Sequence, residues 1–250
     1  MCLIAWNWQP HSATPLVLIA NRDEFYARAA LPLHWWEGDT VLAGKDLQAG
    51  GTWLGVSRSG KLAALTNYRA ATPPRTDTPS RGELVAEYLK SDGDATQFLQ
   101  ALAPRAGDYN PFNLLVFDGT QLLGLESRDA RVVRMSPGVG AVSNADFQTP
   151  WPKLTRLTAG LQSSVNAGET DTPSLLTLLH DRSMPADAAL PHTGVPLALE
   201  RALSPAFITT PSYGTRACSV IKFQEAAIEF TEQSHGDAGL IATTHLSFSR

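Results

Sequence analysis

Cysteine is almost missing from this chain: of 250 residues, only Cys2 and Cys218 carry a thiol. Two thiols cannot build a disulfide framework, and a zinc centre would need other ligands. The histidines, at positions 11, 34, 180, 192, 235 and 245, show no spacing of the H-x-x-x-H kind. No metal site is therefore expected, and each His reads as a surface or packing residue. Long hydrophobic runs are missing too. The N-terminal apolar stretch breaks at Trp8-Gln9-Pro10-His11, with no basic segment ahead of it and nothing near the ~18 apolar residues of a membrane helix. That predicts neither a secretory signal nor a membrane span, and a reducing cytoplasmic setting that keeps thiols reduced. Charge is not clustered either: the net charge is −4 and the basic residues are scattered, which argues against a dedicated nucleic-acid binder. Gly55-Val56-Ser57-Arg58-Ser59-Gly60-Lys61-Leu62 falls short of a phosphate loop. It ends in Leu62 where a hydroxyl must reach Mg²⁺, and a strand follows instead of a helix.

Hydrophobic residues make up 43% of the chain, enough for one continuous core, and no composition shift divides residues 1–250 into domains. Cys2–Trp8 and Leu16–Asn21 read as a hairpin of strands buried on both faces. Arg22 to Leu33, with mixed charge, reads as a loop. Thr52–Ser57 and Lys61–Asn67 form a second hairpin around Arg58-Ser59-Gly60. A helix is predicted from Ser80, with Glu83 completing a capping box, and another from the cap Asp94 to Pro104. Strands return at Asn113–Phe117, Gln121–Ser127 and Arg131–Met135. Helical spacing reappears around Leu154–Leu161 and at Thr172–His180. A loop over Ser183–Pro196 precedes closing strands at Ala217–Phe223, Ala227–Thr231 and Ile241–Phe248. Blocks of strands separated by pairs of helices predict an α+β sandwich rather than βαβ units.

The chain opens Met1-Cys2. Removal of Met1 would make Cys2 the first residue, with a thiol and a free α-amino group on one residue. The amine titrates near pH ~8 and the thiol near ~8.5, so nucleophile and base coincide. The bland alternative is a small buried cysteine on an edge strand. In an antiparallel hairpin the end of the second strand lies beside the start of the first. Arg22 and Asp23, in Asn21-Arg22-Asp23-Glu24, therefore fall within reach of Cys2. Arginine favours a thiolate and aspartate can hold an amine; a solvated ion-pair loop is the competing reading.

Cys2, Asn21-Arg22-Asp23-Glu24-Phe25, Gly50-Gly51-Thr52-Trp53-Leu54-Gly55, Leu65-Thr66-Asn67-Tyr68-Arg69, Val142-Ser143-Asn144 and Gly214-Thr215-Arg216 together resemble the NRDE family. That family, also called the transport and Golgi organisation protein 2 family, is in turn similar to N-terminal nucleophile hydrolases of the choloylglycine hydrolase and penicillin V acylase group. The resemblance implies a four-layer αββα sandwich. It also implies Cys2 as nucleophile, Arg22 as its neighbouring arginine, an aspartate at Asp23 or Glu24, Asn67 as oxyanion donor, Asn144 as a second site asparagine and Arg216 as a late-strand arginine. Asn21, Glu24, Gly50, Gly51, Trp53 and Tyr68 belong to the same motifs and are candidate ligand-binding positions.

An asparagine amide can donate to a developing oxyanion. Arg216 on a buried strand calls for an anionic partner, and strand alternation would bring Cys218 onto the face of Arg216; a core position is the alternative for Cys218. Gly50-Gly51 is either a turn or a close backbone approach to a ligand. Trp6, Trp8, Trp35, Trp36 and Trp53 either line a pocket or fill the core.

Three functions follow from this reading. The first is cleavage of a non-peptide amide or thioester at Cys2, with no cofactor required. The second is non-catalytic carriage of a small ligand, haem or an acyl lipid or acyl-CoA, which the resemblance implies. The third, which the family's name implies, is organisation of the secretory pathway or Golgi.

Overall fold

The computed structural model describes residues 2–249; the question of Met1 removal lies outside the described residues. The two apolar N-terminal runs form β1 (Cys2–Trp8) and β2 (Leu16–Phe25). Every residue of β1 is buried, because alternation sends its side chains into two different cores. Ile4, Trp6 and Trp8 enter the core between two sheets, whereas Leu3 and Ala5 face a layer of helices.

The chain continues through β3 (Ala30–Trp35), β4 (Val41–Asp46), β5 (Leu54–Ser57) and β6 (Leu62–Asn67) into helices α1 (Gly82–Lys90) and α2 (Ala95–Leu102). A 3-10 turn (Ala103–Asp108) leads to β7 (Phe112–Phe117), β8 (Leu122–Glu126), β9 (Arg131–Arg134) and β10 (Gly138–Val142). Then come α3 (Pro152–Ala167), α4 (Thr172–Leu179), α5 (Leu197–Ala202), β11 (Tyr213–Phe223), β12 (Ala227–Gly236) and β13 (Gly239–Ser249). One sheet has the order β10-β1-β2-β11-β12-β13 and the other β3-β4-β5-β6-β7-β8-β9. Both are antiparallel throughout.

Three cores define the layers. The inter-sheet core joins Ile4, Trp6 and Leu18 of the first sheet to Leu42, Val56 and Phe117 of the second. On the outer face of the second sheet, Leu84, Val85, Tyr88 and Leu89 of α1 and Leu99 and Leu102 of α2 meet Leu114 and Val116. On the outer face of the first, Leu154, Leu157 and Leu161 of α3 and Leu175 and Leu179 of α4 meet Leu3, Ile19 and Val220. The result is the expected four-layer αββα sandwich, a mixed α+β fold.

Local signals explain several boundaries. Asp94 caps α2 in a reciprocal box: Gln97 N donates to Asp94 Oδ1 at 2.8 Å and Asp94 N to Gln97 Oε1 at 3.4 Å. The box expected at Ser80–Glu83 does not form; Arg81 sits at the cap of α1 without a side-chain cap bond. The first turn of α1 is fixed instead by contact with another connector, where Thr52 N donates to Gly82 O at 3.2 Å. The near-match to a phosphate loop is the β5–β6 hairpin, with Gly60 at φ +83°.

The largest correction concerns Arg22 to Leu33, which reads as a loop from its charge. β2 instead runs on to Phe25, and β3 begins at Ala30. Polar residues persist in β2 because it is an interior strand, paired with β1 on one side and β11 on the other. β3, β4, β10 and α5 carry too little periodicity to be read from sequence. Among the described residues no helix is long and apolar enough to cross a membrane.

Gly50 and Gly51 do different work. Gly50 has φ +81° and open space around it, whereas a Cβ on Gly51 would lie 2.3 Å from the Gly82 carbonyl carbon. The close approach allowed by Gly51 is thus to backbone. We expect Gly51→Ala to lower unfolding free energy by about 1–3 kcal/mol, the usual cost of overpacking. Gly50→Ala should cost about 1 kcal/mol, from the left-handed backbone alone. Chemical denaturation of both variants checks the order; equal losses would contradict this assignment of roles.

Candidate functional site

The register of β1 with β2 places Cys2 directly opposite Arg22. Both lie at the open end of the sandwich, lining a cleft of about 710 Å³. Parity puts the Cys2 side chain on the face of Ile4 and Trp6, so its thiol points between the sheets. Cys2 is only 7% exposed. Its thiol is pushed up to about 11, chiefly by burial with Asp23 adding to the rise, while the chain's amino terminus and Arg22 oppose it.

Arg22 Nη2 reaches Asp46 Oδ2 at 3.2 Å, and Arg28 Nε donates to the same oxygen at 2.6 Å. Arg28 also lies 3.8 Å from Glu24 Oε2. Hydrogen bonds from Arg28 and the backbone N–H of Ala49 hold the Asp46 carboxyl below its usual range, against the opposing effect of burial. Asp46 on β4 thereby fixes Arg22 from the opposite sheet.

Asp23 and Glu24, adjacent in sequence, have different environments. Asp23 is buried and accepts a hydrogen bond from Thr215 Oγ1 at 2.8 Å. Burial raises its pKa, with Lys153 the strongest opposing influence. Glu24 is turned toward Arg28, and Phe25 N donates to its Oε1 at 2.9 Å. Behind Asp23, Lys153 at the start of α3 is 2% exposed and donates to Leu203 O at 3.1 Å. Its pKa is pulled down to about 8 by burial, against the effect of Asp23. Nearby, Arg69 and Glu200 form a buried ion pair at 2.6 Å. The cleft thus backs onto a layer of buried charges.

Asn67 ends β6 and lines the cleft from the second sheet. Asn144 does not line it. The Asn144 Nδ2 donates to the main-chain oxygen of Asn67 at 2.7 Å. Neighbouring Ser143 Oγ lies 3.1 Å from the Cys2 carbonyl oxygen as donor, and Arg69 N donates to Asn144 O at 2.8 Å. The Ser143-Asn144 pair therefore ties the start of β1 to the end of β6.

Arg216 departs from expectation in its partners. It is the extra residue of a β-bulge: Thr215 pairs with Asp23 and Ala217 with Arg22. Its Nη1 donates to the carbonyls of Phe25, Tyr26 and Arg28 at 2.9–3.1 Å, and its Nε to His235 O at 3.1 Å. No carboxylate forms an ion pair with it among the described residues; main-chain dipoles hold its charge. The same bulge breaks the alternation that would bring Cys218 onto its face. Ala217 lines the cleft, and Cys218 points into the helix-side core opposite Asn21.

The remaining positions divide the same way. Asn21 faces away from the cleft and pins the end of α4 and the chain after α5, donating to Leu179 O and Ala206 O at 2.8 Å each. Tyr68 accepts from Arg128 Nη1 at 2.6 Å and packs on the α3 side. Gly51 and Trp53 line the cleft. Trp6 and Trp8 fill the inter-sheet core, Trp35 packs against it, and Trp36 sits under α1. Sequence reasoning missed Arg28, Lys45, Asp46, Arg75, Arg81 and Glu232 on the cleft wall, and Lys153 behind it. Only tertiary contact marks them. Six Lys and Arg residues line the cleft against four Asp and Glu residues. Among the described residues the Arg75 and Arg81 guanidinium groups bond only main-chain carbonyls there, so the wall favours an anionic group.

A family model described as Transport and Golgi organisation 2 matches residues 1–237. The transport and Golgi organization protein 2 homolog of Bos taurus is 35% identical over 257 residues, covering 94% of this chain and 93% of its own. The Homo sapiens homolog is 33% identical over 269 residues, covering 96% and 95%. Among solved structures, a mutant conjugated bile acid hydrolase from Clostridium perfringens aligns with a TM-score of 0.56 at 9% identity, over 98% of this chain and 92% of its own. An N-acylethanolamine-hydrolyzing acid amidase ortholog from Caenorhabditis elegans aligns at 0.53 and 11%, over 88% and 92%. At such identities these neighbours speak for the fold alone, an N-terminal nucleophile hydrolase-like sandwich. The family match and the full-length relatives speak for descent: the chain belongs to the transport and Golgi organisation 2 family.

Proposed function

We propose that this protein is an N-terminal cysteine hydrolase for a non-peptide amide or thioester that carries an anionic group. The observation behind this reading is the position of Cys2 in the cleft, opposite Arg22 and across from Asn67. With Met1 removed, the α-amine of Cys2 takes the thiol proton and Sγ attacks the substrate carbonyl. The oxyanion accepts a hydrogen bond from the Asn67 carboxamide. Collapse of the tetrahedral species breaks the C–N or C–S bond, and the leaving group takes the proton held by the amine. Water, deprotonated by the same amine, then cleaves the acyl-thioester and restores the Cys2 thiol. Asp23 orients the amine, Arg22 favours the thiolate, and Asn144 acts as a positioning residue by holding Asn67. The cationic wall recruits the anionic end of the substrate. The names of two structural neighbours, a conjugated bile acid hydrolase and an N-acylethanolamine-hydrolyzing acid amidase, agree with this class of reaction.

A second reading, a non-catalytic carrier for an acyl lipid, acyl-CoA or haem, draws on one observation. The Cys2 thiol is raised to about 11 by burial, so with its own nitrogen tied up in a peptide bond it stays protonated at neutral pH. Freeing the α-amine is what separates the two readings.

Turnover of a panel of anionic N-acyl amides and acyl thioesters should be lost in Cys2→Ala. Asn67→Ala should reduce kcat by roughly 100-fold or more, the usual cost of one oxyanion donor. N-terminal mass analysis accompanies this assay: fully retained Met1, or turnover undiminished in Cys2→Ala, sinks the mechanism.

Thiol alkylation gives the pH test. A raised pKa keeps the thiol protonated to higher pH, so a chain retaining Met1 should alkylate tenfold faster per pH unit up to an inflection near 11. The processed chain should react fast near neutrality. Identical profiles for the two forms would favour the carrier.

A further inference from the structure

On the face of the first sheet turned away from the cleft, three residues far apart in sequence converge. His180 follows α4, Cys218 lies on β11 and His235 on β12, and one ligand atom from each falls within 4.8 Å of the other two. The register explains the meeting. Cys218 pairs with Gln233, and His235, two residues further along β12, shares the face of Gln233. In the β12–β13 ladder the register shifts between Ser234 and His235, with Ile241 on β13 as the extra residue. From the helix layer, the His180 ring stands edge-on to His235 at 5.7 Å between centroids, and Phe207 closes over both at 5.2 and 5.0 Å.

We propose that His180, Cys218 and His235 form a binding site for a thiophilic d10 metal ion, Cu(I) or Zn(II), separate from the chemistry of Cys2. One thiolate with two imidazoles is a donor set suited to both ions. Bonds of about 2.0–2.3 Å around such an ion put ligand atoms roughly 3.3–3.7 Å apart. Closing from 4.8 Å or less takes rotamer changes of about 1 Å. A second, independent feature points the same way. His235 is 6% exposed, and its Nε2 is buried without a hydrogen-bond partner among the described residues. A buried polar atom left unbonded is costly and calls for an explanation; a metal ion supplies one. Cys218 is fully buried, so the ion would sit in a largely dry pocket. Binding forms a metal–Sγ bond and releases the Cys218 thiol proton to solvent. Three ligands, one just after α4 and one each from β11 and β12, leave a coordination position open, and His180, the member that is not buried, gives the site its edge toward solvent.

The full-length protein, reduced and stripped with a chelator, is titrated separately with Zn(II) and Cu(I) against chromogenic competitors. Wild type and Cys2→Ala should each bind one equivalent of at least one ion, with a rise in Tm. Cys218→Ala and His235→Gln should weaken binding by at least 100-fold and abolish the Tm rise. The ion that saturates at one equivalent names the occupant. Should the two buried substitutions fail to fold, His180→Gln, on the half-buried residue, is expected to show the same loss. Cobalt(II) substitution should give a thiolate charge-transfer band in Cys2→Ala and none in Cys218→Ala. No stoichiometric binding of either ion overturns the site, as does binding that survives loss of Cys218 and His180 and disappears with Cys2.

Discussion

The cleft depends on one hydrogen bond between the sheets: the Asn144 carboxamide held on the main-chain oxygen of Asn67 at 2.7 Å. Asn144 follows β10, the neighbour of β1, whereas Asn67 ends β6 in the opposite sheet. Ser143, beside Asn144, reaches the Cys2 carbonyl. Two consecutive side chains therefore set the distance between Cys2 and the asparagine facing it. Apolar packing between the sheets fixes their separation but has little directional content. Registering two polar groups across a cleft needs directional bonds; the Ser143 bond is buried and the Asn144 bond partly so, and an unmade partner there is expensive.

A second constraint is the polar end of β2. Asn21, Arg22 and Asp23 occupy an interior strand, where unpaired polar groups are costly. Each finds a partner in a different layer. Asn21 donates to carbonyls at the end of α4 and in the chain after α5, Arg22 pairs with Asp46 on the opposite sheet, and Asp23 takes the Thr215 hydroxyl within its own sheet. The motif thus fastens helices, first sheet and second sheet together at the strand that carries Cys2 opposite it. The bulge at Arg216 finishes the arrangement by turning a guanidinium toward the carbonyls of the connection after β2.

Much of the fold was legible in the sequence. The buried hairpin, the Asp94 cap, the β5–β6 turn and the block order of strands and helices are local signals, set by alternation and turn chemistry. What escaped was the continuation of β2 through Arg22 to Phe25, together with β3, β4 and β10. Strand identity there comes from partners distant in sequence, and charge within a strand mimics a loop. The same limit explains the tryptophans: five candidates for one pocket sorted into core and cleft, with Trp53 on the cleft wall.

The sequence by itself determined the motifs, the family they resemble and the pairing of Cys2 with the end of the second strand. A hairpin is local enough for its register to follow from its turn. Tertiary structure alone decided that Cys218 faces away from Cys2, that Asp46 on another sheet braces Arg22, that Lys153 lies buried behind Asp23, and that two histidines without motif spacing meet a cysteine. These depend on a single-residue bulge and on contacts between layers. A one-residue shift in strand parity reverses which face a side chain occupies, and composition or periodicity carries no record of it.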